Sequence, residues 1–139
     1  MIFILDTNVI SEIMQPKLND SVATWFTSHK AAEFFTTVIS QAEIYAGVAL
    51  LPTGKKKQAL HAAAQLVFEN EFANRIYSFD SVAALENASI KAKRTKLGLP
   101  ISFQDLCIAA IAKTKNAVVV TRDVRGFVET GAAVVNPWE

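Results

Sequence analysis

The chain has 139 residues, a length typical of one domain that buries its own core without disulfides. Hydrophobic residues make up 51% and charged residues 19%, which favours a folded protein with some apolar surface facing a partner. The net charge of +1 neither indicates nor excludes a nucleic-acid ligand. The single cysteine, Cys107, excludes a disulfide framework and a cysteine-rich zinc site, and it fits a reducing cytoplasm.

Apolar and helical segments alternate along the chain. Five stretches are typical of buried strands: 2–5, 34–39, 75–79, 117–120 and 132–135. Capping residues and helical spacing predict helices after Asp6, over 19–29, 40–51, 55–72 and 81–97, and after Ser102. This alternation predicts a single α/β domain over residues 1–139, with three α/β/α layers around a mainly parallel sheet of four to five strands. The opening MIFIL is typical of neither a signal peptide nor a membrane span, so we expect no membrane association.

Four acidic residues stand where an apolar stretch gives way to a turn or a helix start. Asp6 and Asp123 follow predicted strands, and Glu43 lies one turn beyond another strand. Asp105 opens the helix after Ser102. Because the carboxyl ends of parallel strands meet at one edge of a sheet, we expect these four carboxylates to converge there.

Each acid also has a purely structural interpretation. Asp and Glu are favoured in first helical turns, where free N–H groups and the helix dipole stabilise them. Glu43 and Asp105 each follow a serine by three residues, the spacing of a capping box, and Asp123 could close an Asx turn. Asp80 is most simply a cap of this kind, and we leave it outside the expected pocket.

Convergence of the four acids would favour a bound cation. Neighbouring carboxylates repel one another and raise one another's pKa values unless a cation neutralises them. An oxygen-only ligand set selects Mg²⁺ or Mn²⁺ over zinc, and such an ion keeps waters for chemistry or for a phosphate oxygen. This arrangement is typical of phosphodiester hydrolysis.

The segments around the four acids resemble the PIN-domain ribonucleases. These segments are LDTNVISE, AEIYAG, QDLCIAA and VVTRDVRGF, and the resemblance spans nearly the whole chain. Within that superfamily, the spacing and the terminal NPW look most like the VapC toxins of bacterial toxin–antitoxin pairs, in the FitB-like branch. The resemblance implies an Mg²⁺- or Mn²⁺-dependent ribonuclease acting on RNA. It also implies a VapB-like antitoxin partner, contact with DNA only through that antitoxin, and a homodimer.

The resemblance also assigns the site. The family's four acids match, in order, Asp6, Glu43, Asp105 and Asp123. From this match we expect Asp6, Asp105 and Asp123 to be metal ligands, while Glu43 binds the metal through water or orients the nucleophile. Many relatives carry a later acid where this chain has Gly126, so here the charge comes from the earlier position.

Four further polar residues lie beside these acids. Thr7, Asn8 and Thr121 are expected to orient the carboxylates or bound waters. Arg122 would contact the scissile phosphate or pair with a neighbouring carboxylate.

Other polar clusters receive structural interpretations. Lys55–Lys57 begin a helix, where they could meet phosphates but more simply form a solvated face. The helix at 81–97 carries four basic residues that we interpret as a solvated face rather than an RNA track. They are Lys91, Lys93, Arg94 and Lys96. His29 and His61 are isolated, so we expect neither a zinc site nor a histidine base.

Three functional hypotheses follow from the sequence. The leading one is a metal-dependent endoribonuclease toxin that a cognate antitoxin neutralises. The alternative is a subunit of a DNA-binding toxin–antitoxin complex whose main output is operator binding. A third, a phosphatase or receiver domain that uses Asp6 as acceptor, lacks the lysine expected just past a later strand.

Overall fold

A five-stranded parallel sheet forms the centre of the protein, in the order β3-β2-β1-β4-β5. The computed structural model describes every residue from Met1 to Glu139. The strands are β1 (Phe3–Leu5), β2 (Phe34–Thr37), β3 (Ile76–Tyr77), β4 (Val118–Val120) and β5 (Ala133–Val135). The helices are α1 (Thr7–Ile13), α2 (Asp20–Thr27), α3 (Val38–Ala49), α4 (Lys55–Gln65), α5 (Ser81–Lys96) and α6 (Phe103–Thr114). No helix is long and apolar enough to cross a bilayer.

The central strand β1 is where the winding of the chain changes direction. β1 pairs with β2 on one side and with β4 on the other, so that Phe3 is in register with both Phe34 and Val118. The amide of Asp6 extends the ladder by donating to the Val120 carbonyl at 2.9 Å. In parallel α/β sheets, the crevice at such a switch point is where ligands bind. The fold therefore places Asp6 at the edge where a site is expected.

Alternating side chains of β1 face two separate cores. Ile4 packs with α5 and α6 in one core, where Ile90 and Ile108 are also buried. Phe3 and Leu5 point to the opposite face and pack with α1, α3 and α4. Because helices cover both faces of the sheet, the predicted three-layer α/β/α fold is confirmed.

Helix α6 is the most deeply buried helix. Its residues Leu106–Ala112 are all buried, which places the Cys107 thiol in the core. Small alanine side chains let α6 approach its neighbours closely, and its densest packing is against α5. The first turn of α6, which carries Asp105, is thereby fixed against the sheet.

Several predicted boundaries were wrong. β2 ends at Thr37 rather than near 39, because the Thr37 hydroxyl accepts the Ser40 amide at 3.2 Å and starts α3 there. The predicted capping box that begins at Ser40 is therefore absent. The predicted helix over 55–72 is α-helical only to Gln65 and continues as a π-helical turn over Leu66–Glu71.

One basic residue of α5 is not where we predicted. Lys91, Lys93 and Lys96 are exposed, but the Arg94 side chain is buried, with only 4% of its surface accessible. The interpretation of Arg94 as part of a solvated face was wrong. This position of the helix faces the loop that precedes α6 and the turn that contains Gly126.

Replacing Ile108 by alanine should destabilise the fold without touching the acidic residues. Ile108 is fully buried in the α5–α6 core, and large-to-small changes at such positions cost about 2–5 kcal/mol. Urea unfolding of Ile108→Ala measures the loss. The control is Leu50→Ala, since Leu50 is 86% exposed and should change stability by less than about 0.5 kcal/mol. Equal losses in the two variants would contradict this description of the core.

Candidate metal centre

Asp6 is a buried carboxylate at the end of the central strand. It caps α1 by accepting the Thr7 amide at Oδ1, and its Oδ2 accepts the Thr121 hydroxyl, both at 2.8 Å. Burial raises the pKa of Asp6 to about 6, although these two hydrogen bonds lower it. The charges of Asp105 and Glu43 raise this pKa further. None of the ion pairs in the protein involves Asp6, so its charge has no basic partner.

The Thr121 hydroxyl connects residues that follow β1 with residues that follow β4. It is fully buried and accepts from the Asn8 amide group and from the Asp123 backbone N–H, both at 3.0 Å. Asn8 in turn accepts the Arg122 backbone N–H at 3.2 Å. Because two donors occupy the oxygen of Thr121, its one hydrogen is directed to Asp6. Asn8 and Thr121 therefore hold the Asp6 carboxylate beside the Asp123 turn, and their role toward a metal or a bound water stays a prediction.

Glu43 reaches the pocket from the second turn of α3. Its Oε1 accepts the Thr7 hydroxyl at 2.7 Å, and the Ser40 hydroxyl lies 3.0 Å from the same Thr7 oxygen. Since the cap of α3 is Thr37 rather than Ser40, Glu43 does not complete a capping box, and that structural interpretation was wrong. Thr7 instead links Glu43 to Asp6, because its backbone and its side chain each bond to one of the two carboxylates.

Asp105 and Asp123 approach one another beside Gly126. A Cβ atom at Gly126 would lie 2.8 Å from Asp123 Oδ2 and 3.0 Å from Asp105 Oδ2. Burial and the charge of Asp123 raise the pKa of Asp105, whose helix is capped by the Ser102 hydroxyl. Asp123 also accepts the Gly126 amide at 3.3 Å, as the cap of a 3-10 turn over Val124–Phe127 rather than through the shorter contact of an Asx turn. Its structural role and its place in the pocket therefore coexist.

The four acids thus fall into two pairs by their contacts, because Asp6 and Glu43 are joined through Thr7 while Asp105 and Asp123 meet beside Gly126. No basic side chain forms an ion pair with any of them. As the side chains stand, no group of three or more His, Cys, Asp or Glu residues is close enough to hold a metal ion. Mg²⁺, however, usually binds to one or two carboxylates and keeps several waters. An oxygen-only set without an ion-pair partner, with no side chain at Gly126 to intrude on Asp105 and Asp123, fits a hard divalent cation of this kind.

Arg122 and the two histidines lie outside the acid cluster. The Arg122 guanidinium stacks on Trp138, 5.0 Å from the ring centroid, and makes no ion pair with a carboxylate. His29 packs on Trp25, with Nδ1 2.8 Å from that residue's carbonyl oxygen. His61 lies against the ring of Tyr45. The absence of a histidine base from the pocket stays a prediction.

An open cleft adjoins the acids, and sequence reasoning missed it. Its volume is about 340 Å³, and it runs from Thr7 and Glu43 along α3 to α4. Apolar side chains such as Ile44 and Val48 line its floor, and Lys56 lies on its wall. No sequence motif marks this cleft, because its lining comes from three helices that meet only in the folded chain.

Comparison with known proteins identifies the family. The model of the PIN domain family matches residues 3–133. Toxin FitB of Neisseria gonorrhoeae is 40% identical over 135 residues, covering 97% of this chain and 97% of that protein. A VapC ribonuclease of Sinorhizobium fredii is 31% identical over 136 residues, covering 98% and 97%. A solved structure of FitAB bound to a DNA fragment superposes with a TM-score of 0.91 at 39% identity, covering 99% of this chain and 96% of that chain. The chain therefore belongs to the PIN domain family, and it is similar to FitB over nearly its whole length.

The raised pKa of Asp6 predicts how the stability of the metal-free protein depends on pH. Because the folded pKa, about 6, exceeds the ordinary value of 3.8, the folded state binds more protons between these values and loses stability as pH rises through them. At about 1.36 kcal/mol per pKa unit, this loss is on the order of 3 kcal/mol at pH 7. Thermal unfolding in EDTA at a series of pH values measures it.

A matched pair of variants isolates the contribution of Asp6. In Asp6→Asn the loss of stability through this pH range should be clearly smaller than in wild type, with the raised pKa of Asp105 accounting for what remains, whereas Asp80→Asn should keep the full loss. Asp80 caps α5 by accepting the Ala83 amide and lies in no acidic pair, so it is the appropriate control. Identical pH profiles for wild type and Asp6→Asn would contradict the assignment.

Proposed function

We propose that this protein is an Mg²⁺- or Mn²⁺-dependent endoribonuclease toxin, neutralised by a cognate VapB-like antitoxin. The observation that carries the proposal is the burial of Asp6, without a basic partner, beside three further acids at the switch point of the sheet. Such a cluster is unfavourable without a cation and is suited to binding one. Membership of the PIN domain family, and similarity to a protein named as a VapC ribonuclease, support the choice of RNA cleavage.

Asp6, Asp105 and Asp123 are the proposed ligands, with Glu43 binding through water. When bound, the cation would polarise a phosphoryl oxygen and lower the pKa of an attacking water. The chain's own groups prepare this arrangement. Thr121 and the Thr7 amide fix the Asp6 carboxylate, and the Thr7 hydroxyl aims Glu43 into the same space.

Hydrolysis adds one water across a phosphodiester bond. The water oxygen bonds to phosphorus, the P–O bond to the leaving sugar oxygen breaks, and that oxygen gains a proton. Glu43 is the group placed to accept the proton of the attacking water, because it lies at the mouth of the cleft and Thr7 holds it there. No histidine is within reach for this role.

The cleft beside the acids supports a flexible RNA substrate. Its apolar floor can receive an unstacked base, and Lys56 can contact a phosphate of the same strand. Arg122 is exposed and held on Trp138, within the same loop as Asp123, so it is available to a second phosphate. These contacts favour single-stranded or looped RNA over a regular duplex.

A protein partner is the second part of the proposal. Large apolar side chains remain exposed, among them Leu85 at 76% and Phe103 at 66%, which favours association with another chain. Similarity to FitB and to the solved FitAB complex supports an antitoxin as that chain, a homodimer of this protein, and contact with DNA only through the antitoxin. We place this assembly in the cytoplasm, where its RNA substrate is found.

A second candidate function is operator binding as the main output. The observation that favours it is the close structural similarity to FitAB bound to a DNA fragment, with a TM-score of 0.91. In that case the chain would serve chiefly as a dimerising subunit. The acids would then be dispensable, which separates this candidate from the nuclease.

Replacing Asp6 by asparagine should abolish RNA cleavage and leave the protein folded. The change removes a ligand charge while keeping an oxygen that can accept the Thr7 amide. We expect cleavage to fall by at least about 100-fold, since even partners of metal ligands contribute about 10- to 100-fold. Cleavage of total cellular RNA by purified, antitoxin-free protein in Mg²⁺, Mn²⁺ and EDTA measures the effect.

The control for this experiment is Asp80→Asn, which changes the same residue type at a helix cap outside the pocket. It should cleave RNA at the wild-type rate. Undiminished cleavage by Asp6→Asn would rule out the assigned site. No metal-dependent cleavage by folded wild-type protein would favour operator binding instead.

A further inference from the structure

Arg94 carries a buried charge that takes no direct part in the proposed reaction. It lies in the last turns of α5, only 4% exposed, and forms no ion pair with any carboxylate. Burying a guanidinium is unfavourable unless all its N–H groups find acceptors, and an apolar side chain of similar size often serves stability equally well. Stability alone therefore does not account for the burial of Arg94.

The guanidinium donates hydrogen bonds to two loops. Nε donates to the Leu99 carbonyl at 3.1 Å, and Nη2 donates to the Pro100 carbonyl at 2.9 Å. Nη1 donates to the carbonyls of Gly126 and Val128 at 3.0 and 2.8 Å. All four acceptors are backbone oxygens, so Arg94 joins one loop to the other.

These two loops carry the second pair of acids. Leu99 and Pro100 lead into Ser102, the cap of α6, whose hydroxyl holds the Asp105 amide. Gly126 and Val128 belong to the turn that begins with Asp123.

Gly126 makes the connection direct. Its carbonyl accepts from Arg94, its amide donates to Asp123, and its Cα faces the carboxylates of both Asp105 and Asp123. The position of this one peptide therefore sets the space between the two acids.

We propose that Arg94 is a positioning residue that holds the loops of Asp105 and Asp123 at the separation needed to bind a divalent cation. This inference rests on the proposed metal-dependent function. Only a planar guanidinium presents donors in several fixed directions, and a lysine ammonium at the end of a flexible stem cannot reach four carbonyls on two loops.

Cation affinity distinguishes positioning from a purely electrostatic effect. A positive charge near the acids repels a cation, so removing it in Arg94→Met should strengthen Mn²⁺ binding if charge were all that mattered. Positioning predicts the opposite, namely weaker binding in Arg94→Met. It also predicts weaker binding in Arg94→Lys, which keeps the positive charge but loses the planar set of N–H donors.

The experiment measures Mn²⁺ binding by electron paramagnetic resonance, using the purified full chain with no RNA present. We expect affinity to fall about 10- to 100-fold in Arg94→Lys and Arg94→Met, the usual effect of losing a partner of a metal ligand. The control is Lys93→Met, which removes a neighbouring charge that pairs only with Glu129 on the surface. It should bind within about twofold of wild type, as expected for a surface substitution.

Hydrogen exchange supplies a second readout that does not depend on metal. In metal-free Arg94→Lys, amides over 99–105 and 123–128 should exchange faster, while those of β1 and β4 keep their protection. Thermal unfolding confirms that the variant is folded at the temperature of the assay.

The outcomes separate the two proposals. Wild-type Mn²⁺ affinity in a folded Arg94→Lys protein would overturn the positioning role and leave the proposed nuclease intact. An Arg94→Lys protein that does not fold would also overturn it, since Arg94 would then determine the fold as a whole. If wild-type protein fails to bind Mn²⁺ at millimolar concentration, the metal-dependent function and the inference fall together.

Discussion

The hydrogen bond from Thr121 to Asp6 is the interaction on which the rest of the site depends. It joins residues 115 positions apart, both buried, at the place where the central strand meets β4. Through Thr121 it fixes Asn8 and Asp123, and through Thr7 the same carboxylate is tied to Glu43. A small number of hydroxyl groups thus orient the acids without neutralising them. This is what a cation site requires, because a basic partner would occupy the same space.

Positive and negative charges near the site have different hydrogen-bond and ion-pair partners. The buried guanidinium of Arg94 donates only to carbonyl oxygens, while the carboxylates nearby form no ion pair. An ion pair between Arg94 and Asp105 would relieve both costs and would stabilise the metal-free fold. It would also remove a ligand of the proposed cation. In the proposed site, carboxylates without ion pairs lower the stability of the metal-free protein and stay available to a cation, which is a common feature of functional sites.

The larger features were predictable because they depend on local patterns. Apolar runs ending in Asp6 and Asp123 located two parallel strands and the edge where they converge, and a cap followed by an apolar helix located Asp105. The start of α3 was not predictable, because Thr37 has both strand propensity and capping ability, and only the packing of the whole chain selects the second. The burial of Arg94 was not predictable from the sequence for a similar reason. Three exposed lysines share its helix, and a charge pattern along a helix does not reveal which position faces inward.

The long separation of Thr121 from Asp6 has a consequence for the order in which the chain is made. β1 and β2 emerge early and can pair, but the other edge of β1 stays open until β4 is synthesised, with more than 110 intervening residues. Until then Asp6 is an ordinary solvated acid, and Asp105 and Asp123 have no turn of Gly126 to face. Closing so long a loop is the slow, late step of folding in such topologies. For the proposed nuclease, an incomplete nascent chain therefore cannot assemble the site, and the messenger RNA that encodes it is exposed to cleavage only after translation has nearly finished.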